Sequence, residues 1–313
     1  MDKFMEELIA ELKNVLDECY NPVPVKAKKN NRLVYTGIRF DKTGECISPT
    51  IYVDDMYEAY TKGWYTMVDV ILHIQKMLKE KADVGDIVNE IQQYEGAKPM
   101  LRVALINYDA NQEVLKERVH KQFLDLAFVP FIDVTTENGI DGMIYVTENI
   151  VQKWGVDNET ILEQSMQNML DKEQFFVANL EEIANRHYFV SNIDDIQIPE
   201  VLFGVLVISN EKKQYGAKIM LNPDLLHKIA VKFDSNLIIY PSSTHELFAI
   251  VEERYTRRML TTEDVQEINE HEVRREDQLS NSVYYYDRER KEVTIREAGA
   301  PLINNMEAET MAC

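Results

Sequence analysis

VLFGVLVISNEKKQYGAKIMLNPDLLHKIAVKF, residues 201–233, is the stretch on which the fold class turns. The apolar run over 202–208 reads as a buried strand, and Asn210-Glu211-Lys212 supplies a polar turn. A second apolar run, opening at Gly216 and reaching Leu221, predicts a returning strand. Asn222-Pro223 then marks a helix start. The asparagine oxygen can take an orphan backbone N–H, and proline suits a first turn that has no use for its missing donor. Leu226, Ile229, Ala230 and Phe233 follow at helical spacing. Strand, turn, strand and helix in this order, without regular βαβ alternation, predict an α+β protein.

The same order recurs upstream. Residues 123–134 read as a strand, Glu137-Asn138-Gly139 as a turn, 142–147 as a strand opened by Gly142, and 148–154 as a helix. The spacing predicts two copies of one ββα unit. Downstream, strands are expected at 237–240 and 247–251, a helix over 261–273 with Thr261 and Asp264 as a capping box, and a hairpin of 283–286 with 292–295. On that hairpin Tyr284 and Tyr286 share one face and Tyr285 takes the other.

Toward the N-terminus, 2–18 is an amphipathic helix ended by Pro22 and Pro24. A hairpin follows, turned at Asn30-Asn31, with Lys26, Lys28, Lys29 and Arg32 as a small basic patch. Then come a strand at 49–53, helices over 66–80 and 84–94 (the second capped by Asp83), and a strand at 101–108. The expected organisation is a helix-rich region 1–98 carrying a β-hairpin, a mostly antiparallel sheet-rich α+β region 99–297 with ββα units, and a flexible tail 298–313.

The chain has 313 residues, is 45% hydrophobic and 28% charged, and carries a net charge of −20. That composition supports a packed core and excludes a disordered chain. The charge disfavours nucleic-acid binding through a general basic surface, because phosphate contacts dominate that affinity. No apolar run approaches the ~20 residues needed to span a bilayer, so no membrane association is expected. The N-terminal helix carries acidic residues within its apolar stripe and reads as a surface helix, not a signal peptide. Three cysteines at unrelated spacings form neither a disulfide framework nor a zinc site, which fits a cytoplasmic location. Cys313 is terminal and is not at a prenylation position.

Phosphate-cradling glycine motifs, HExxH, the nucleophile elbow and the kinase signatures are all missing, so no cofactor is expected. Six scattered histidines without i,i+4 partners predict no metal site. The densest polar cluster is Ser242-Ser243-Thr244-His245-Glu246, where a hydroxyl beside an imidazole would serve as nucleophile and base, with Glu246 orienting the ring. The competing reading is a strand connection whose hydroxyls bond to backbone. His120 and Asp125, with Asn107 and Asp109, form a second candidate cleft, set against ordinary polar satisfaction. Residues 156–200 hold ten acidic side chains against Lys172 and Arg186. Asp171, Glu173, Glu181 and Glu182 are the candidate binding residues for a basic protein partner, with a solvated face as the plain alternative.

Several segments together carry a resemblance: 47–52 (ISPTIY), 105–108 (LINY), 123–127 (FLDLA), 240–246 (YPSSTHE) and 280–287 (SNSVYYYD). Over nearly its whole length the chain resembles a family known as a domain of unknown function, from Gram-positive gut anaerobes and often encoded near mobile-element genes. The resemblance implies no reaction, cofactor or catalytic residue. It does imply a single unit in which the Ser-Ser-x-His-Glu segment recurs. The expected function is a non-enzymatic interaction or regulatory protein with an acidic partner-binding surface, linked to a mobile element. The alternative is a hydrolase-like enzyme centred on Ser242, Ser243, His245 and Glu246.

Overall fold

A computed structural model describes residues 1–42, 48–81, 85–135, 142–201, 204–241, 243–254 and 259–296. The expected tail and Asp83 lie outside these residues. Helix α1 (Asp2–Val15) buries Phe4, Met5, Leu8 and Leu12, the stripe its sequence predicts. Strands β1 (Tyr20–Lys28) and β2 (Val34–Lys42) pair antiparallel, with Lys28 opposite Val34, and β3 (Thr50–Tyr52) adds to β2. Helix α1 packs on β1 and α2 (Asp54–Thr61) on β2, and α3 (Met67–Lys81) packs against both helices. Phe4, Leu8, Leu12, Phe40, Ile51, Val70 and Ile74 belong to one apolar cluster.

The hairpin turn reaches across to the rest of the chain. Asn31 takes a left-handed φ of 55° there. Its amide donates to the Arg275 and Gln278 carbonyls, both at 2.7 Å, and Asn111 Oδ1 accepts its backbone N–H at 2.8 Å. Three members of the basic patch are engaged within the fold: Lys28 pairs with Glu113 at 2.7 Å, Lys29 lies over the Tyr52 ring at 4.1 Å, and Arg32 donates to the Asp109 carbonyl.

After α4 (Gly85–Glu90) and α5 (Tyr94–Ala97), β4 (Leu101–Asn107) begins a second antiparallel sheet. Its centre is β6 (Leu126–Asp133), buried at every residue but the last. β4 flanks β6 on one side; β5 (Lys121–Phe123) and β7 (Met143–Tyr145) share the other. The short α6 (Gln112–Leu115) lies between β4 and β5. Pro130 is tolerated mid-strand for a geometric reason. Its carbonyl accepts from Val146 on the β5/β7 side, so the missing donor falls in the gap between those two short strands. Helix α7 (Glu148–Trp154) completes the first ββα unit.

Helix α8 (Asn158–Lys172) packs on β4 and leads into β8 (Phe175–Asn179). The remaining strands are β9 (Val205–Asn210), β10 (Leu237–Tyr240), β11 (Glu246–Val251), β12 (Tyr284–Asp287) and β13 (Glu292–Ile295). With β8 they form a six-stranded antiparallel sheet ordered β13-β12-β10-β11-β9-β8. Helices α9 (Leu180–Asn185), α10 (Pro223–Phe233) and α11 (Thr262–Glu272) complete the set among the described residues. The caps form as expected: Asn222 Oδ1 accepts from Asp224 and Leu225, and Thr261 and Asp264 close a capping box. Tyr284 and Tyr286 are fully buried on one face of β12. The architecture is α+β, with antiparallel sheets and hairpins.

The second ββα unit is a correction. Residues Gly216–Leu221 form a 3-10 helix, not a strand. A Cβ on Gly216 would sit 2.4 Å from both the His245 carbonyl oxygen and Ser209 Oγ, so this turn is pressed against β9 and the start of β11 more closely than a side chain permits. Lys213 and Tyr215, both with φ above 50°, turn the chain into it. Ala217, Ile219 and Met220 are buried as an apolar run should be, but around a tight helix.

Candidate functional site

The exception within that run is Lys218. A lone lysine among buried apolar neighbours needs a partner, and α8 supplies it, because the chain leaves that helix through Glu173 on its way into β8. Lys218 Nζ lies 2.7 Å from Glu173 Oε1 and 2.6 Å from Oε2, with the two side chains 3% and 12% exposed. Burial pushes the Lys218 ammonium below its ordinary pKa, against the attraction of Glu173, and the positive field of Arg102 acts in the same direction as burial.

This pair forms one wall of a cleft of about 320 Å³ where the four- and six-stranded sheets meet. Arg102 on β4, Lys172 at the end of α8 and Lys212 in the β9 turn bring three further cations. Arg102 donates to the Pro99 and Leu101 carbonyls at 2.9 Å, which fixes its guanidinium. Lys212 reaches Asp133 at 3.3 Å, and Asp133 also accepts the Thr135 hydroxyl at 2.5 Å. Burial raises the Asp133 carboxyl, but the Thr135 bonds and Lys212 outweigh it and hold it below the ordinary value. Phe131, Met143 and Tyr215 give the cleft an apolar side.

Behind Tyr215 runs a column of rings. Arg118 stands 3.6 Å from the Tyr145 ring centroid, and Phe131, Tyr215 and His245 follow at centroid separations of 6.5, 5.7 and 5.8 Å. Burial raises the Tyr145 and Tyr215 hydroxyls, so both stay protonated donors.

His245 is tied down at both ring nitrogens. The Tyr215 backbone N–H donates to Nδ1 at 3.2 Å, so Nε2 carries the proton and donates to Asp277 Oδ1 at 3.0 Å. Ser243 Oγ accepts the His245 backbone N–H at 3.0 Å. Glu246 sits on β11 opposite Ser209. Ser242 lies outside the described residues. In this arrangement His245 holds the left-handed Tyr215 at the edge of the cleft.

The model of a family of unknown function, DUF5688, matches residues 1–288. The chain belongs to that family. No curated protein and no solved structure matches it.

Four of the five segments quoted from this DUF5688 chain meet around residues 277–284. Asp125 Oδ2 accepts from Ser280 and Ser282 at 2.8 and 2.9 Å, and the Tyr284 hydroxyl donates to Oδ1. Asn107 donates to the Leu279 carbonyl at 3.1 Å, and the Ser280 N–H donates to Pro241. The fifth segment contributes β3, in the three-stranded N-terminal sheet. His120 does not join Asp125: its Nδ1 lies 2.9 Å from the Arg118 carbonyl, and its ring lies against Tyr108.

The four acidic candidates of the DUF5688 chain are employed differently from one another. Glu173, its side chain 12% exposed, is the ion-pair partner of Lys218. Glu182 and Asn179 close a capping box on α9. Asp171 is exposed and accepts from Gln167 at 2.8 Å. Glu181 is exposed. Among the described residues no group of three or more His, Cys, Asp or Glu side chains is placed to hold a metal, and no helix is long and apolar enough to cross a membrane. Reading the sequence for motifs missed Arg102, Tyr215 and Lys218. The usable signal was the single lysine inside the apolar run GAKIML, which required a buried counter-charge.

Proposed function

We propose that this chain is a binding protein for a small anionic molecule, held in the cleft beside Lys218. One observation carries the reading. In a chain of net charge −20 the cleft gathers Arg102, Lys172, Lys212 and Lys218 around an apolar side, against Asp133, Glu173 and Glu211. A locally positive cleft in an acidic protein focuses anions and repels them elsewhere. Its volume suits a ligand of small-metabolite size.

The reading keeps the expected non-enzymatic role and moves the binding residues from an acidic face to this cleft. An acidic face for a basic protein partner has less support, because Glu173 and Glu182 are already engaged within the fold. A hydrolase centred on Ser243, His245 and Glu246 also has less support, because the His245 nitrogens serve Tyr215 and Asp277. Neither nucleic acid nor a mobile element is needed.

The test is a thermal-shift panel of phosphate, sulfate, acetate, pyruvate and citrate at fixed ionic strength, on the wild type and on the Arg102→Gln/Lys212→Gln double variant. At least one anion should raise the wild-type Tm and leave the folded double variant unmoved. Equal shifts in both proteins, or none in the wild type, would overturn the reading.

A further inference from the structure

A lysine that only balances Glu173 gives little net stability, because desolvating both ions offsets their attraction. Yet Lys218 is carried on a segment that is tightly packed on several sides. Its 3-10 helix is wedged at Gly216, anchored by the buried Ala217, Ile219 and Met220, and run directly into α10 through the Asn222 cap. The amine is thereby kept largely from bulk water, its side chain 3% exposed, and it lines the cleft. Three features of a lysine nucleophile come together there: desolvation, a second cation nearby in Arg102, and a carboxylate touching Nζ to take a proton.

We propose that Lys218 forms an imine with a small carbonyl-bearing acid, such as a 2-keto acid, whose acid group faces Arg102 and Lys212. This rests on the anion-binding reading. The chemistry balances without a further reactant. The Lys218 ammonium passes a proton to Glu173, and the free amine adds to the carbonyl carbon, forming the C–N bond while the C=O pair moves onto oxygen. The oxygen takes one proton from that nitrogen and a second back from Glu173, and the nitrogen lone pair then expels it as water by breaking the C–O bond. Ammonium and carbonyl become iminium and water, so the positive charge beside Glu173 is kept.

The experiment incubates the full chain with pyruvate and sodium cyanoborohydride, followed by intact mass and peptide mapping. A ketone is the right probe because exposed amines reduce onto it slowly. The expected result is one pyruvate-derived secondary amine per chain, at Lys218, with Glu173→Gln slowing its formation at least tenfold and Lys218→Arg abolishing it. Should Lys218→Arg not fold, the map of the wild type decides alone. Absence of label at Lys218, or labelling no faster than at exposed Lys62, overturns the imine. If pyruvate protects the protein thermally but leaves Lys218 unlabelled, the imine fails and anion binding stands; if no acid binds at all, the underlying reading fails.

Discussion

Lys218 and Glu173, 45 residues apart, form a buried ion pair with Nζ 2.6 Å from Oε2. It joins the end of α8 to the 3-10 helix that precedes α10, and so sets the wall of the cleft. Removing one partner strands a charge, whereas removing both does not. Lys218→Met is expected to lower stability by about 3–5 kcal/mol, and the double change Lys218→Met/Glu173→Leu to recover most of that loss. Urea denaturation of the wild type, the single variants Lys218→Met and Glu173→Leu, and the double variant measures the coupling. Additive losses would show that the pair does not act as a unit.

Asp125 ties three hydroxyls from one segment to the turn between β5 and β6. Asparagine in its place can accept fewer of them and points an amide donor at the rest. Asp125→Asn should cost about 2–3 kcal/mol, and Tyr284→Phe about 1.5–3 kcal/mol, the range for a hydrogen bond to a charged group. Chemical denaturation checks both. A change below about 0.5 kcal/mol in either would remove this contact from the set that holds the two sheets together.

Gly216→Ala places a methyl against the His245 carbonyl and Ser209 Oγ. The backbone must move, at about 1–3 kcal/mol, and the motion carries Tyr215 with it. The variant should therefore lose both Tm and anion-induced stabilisation. A variant that loses Tm but keeps full ligand response would uncouple the Gly216 contact from the cleft.

Glu252 is 7% exposed, and its Oε1 has no hydrogen-bond partner. Burial pushes its carboxyl above the ordinary 4.5, despite the Tyr285 hydrogen bond. A raised carboxyl pKa means that the folded state holds the proton more tightly. Its contribution to stability is present below about pH 4.5 and is lost as pH rises through the folded value. Glu252→Gln removes that loss. The Tm of the variant relative to wild type should rise between about pH 4.5 and pH 7; a difference independent of pH would contradict the assignment.

Much of the fold was legible because its elements carry local signals: the Asn222-Pro223 start, the Thr261–Asp264 box, and the alternation of Tyr284, Tyr285 and Tyr286. Helix α8 was not, because its inward face includes Ser165 and Asn168 beside Ile161, Leu162 and Met169, which breaks the apolar period. Asn168 is paid for by the Lys98 and Leu101 carbonyls at 2.7 and 3.0 Å, contacts invisible along the chain. Residues 216–221 read as a strand because a short apolar run looks alike in either state. His245 stood out in the sequence as a candidate base, but its contacts are with Tyr215 and Asp277, which lie 30 and 32 residues away on other segments. The cleft itself is assembled from five stretches of chain, and no local pattern announces it.

The most direct test of the central claim is calorimetric titration of pyruvate into the wild type and into Arg102→Gln/Lys212→Gln at fixed ionic strength. The account predicts saturable one-to-one binding to the wild type, weakened at least tenfold in the double variant. Equal affinity for both proteins, or no heat with either, would contradict it.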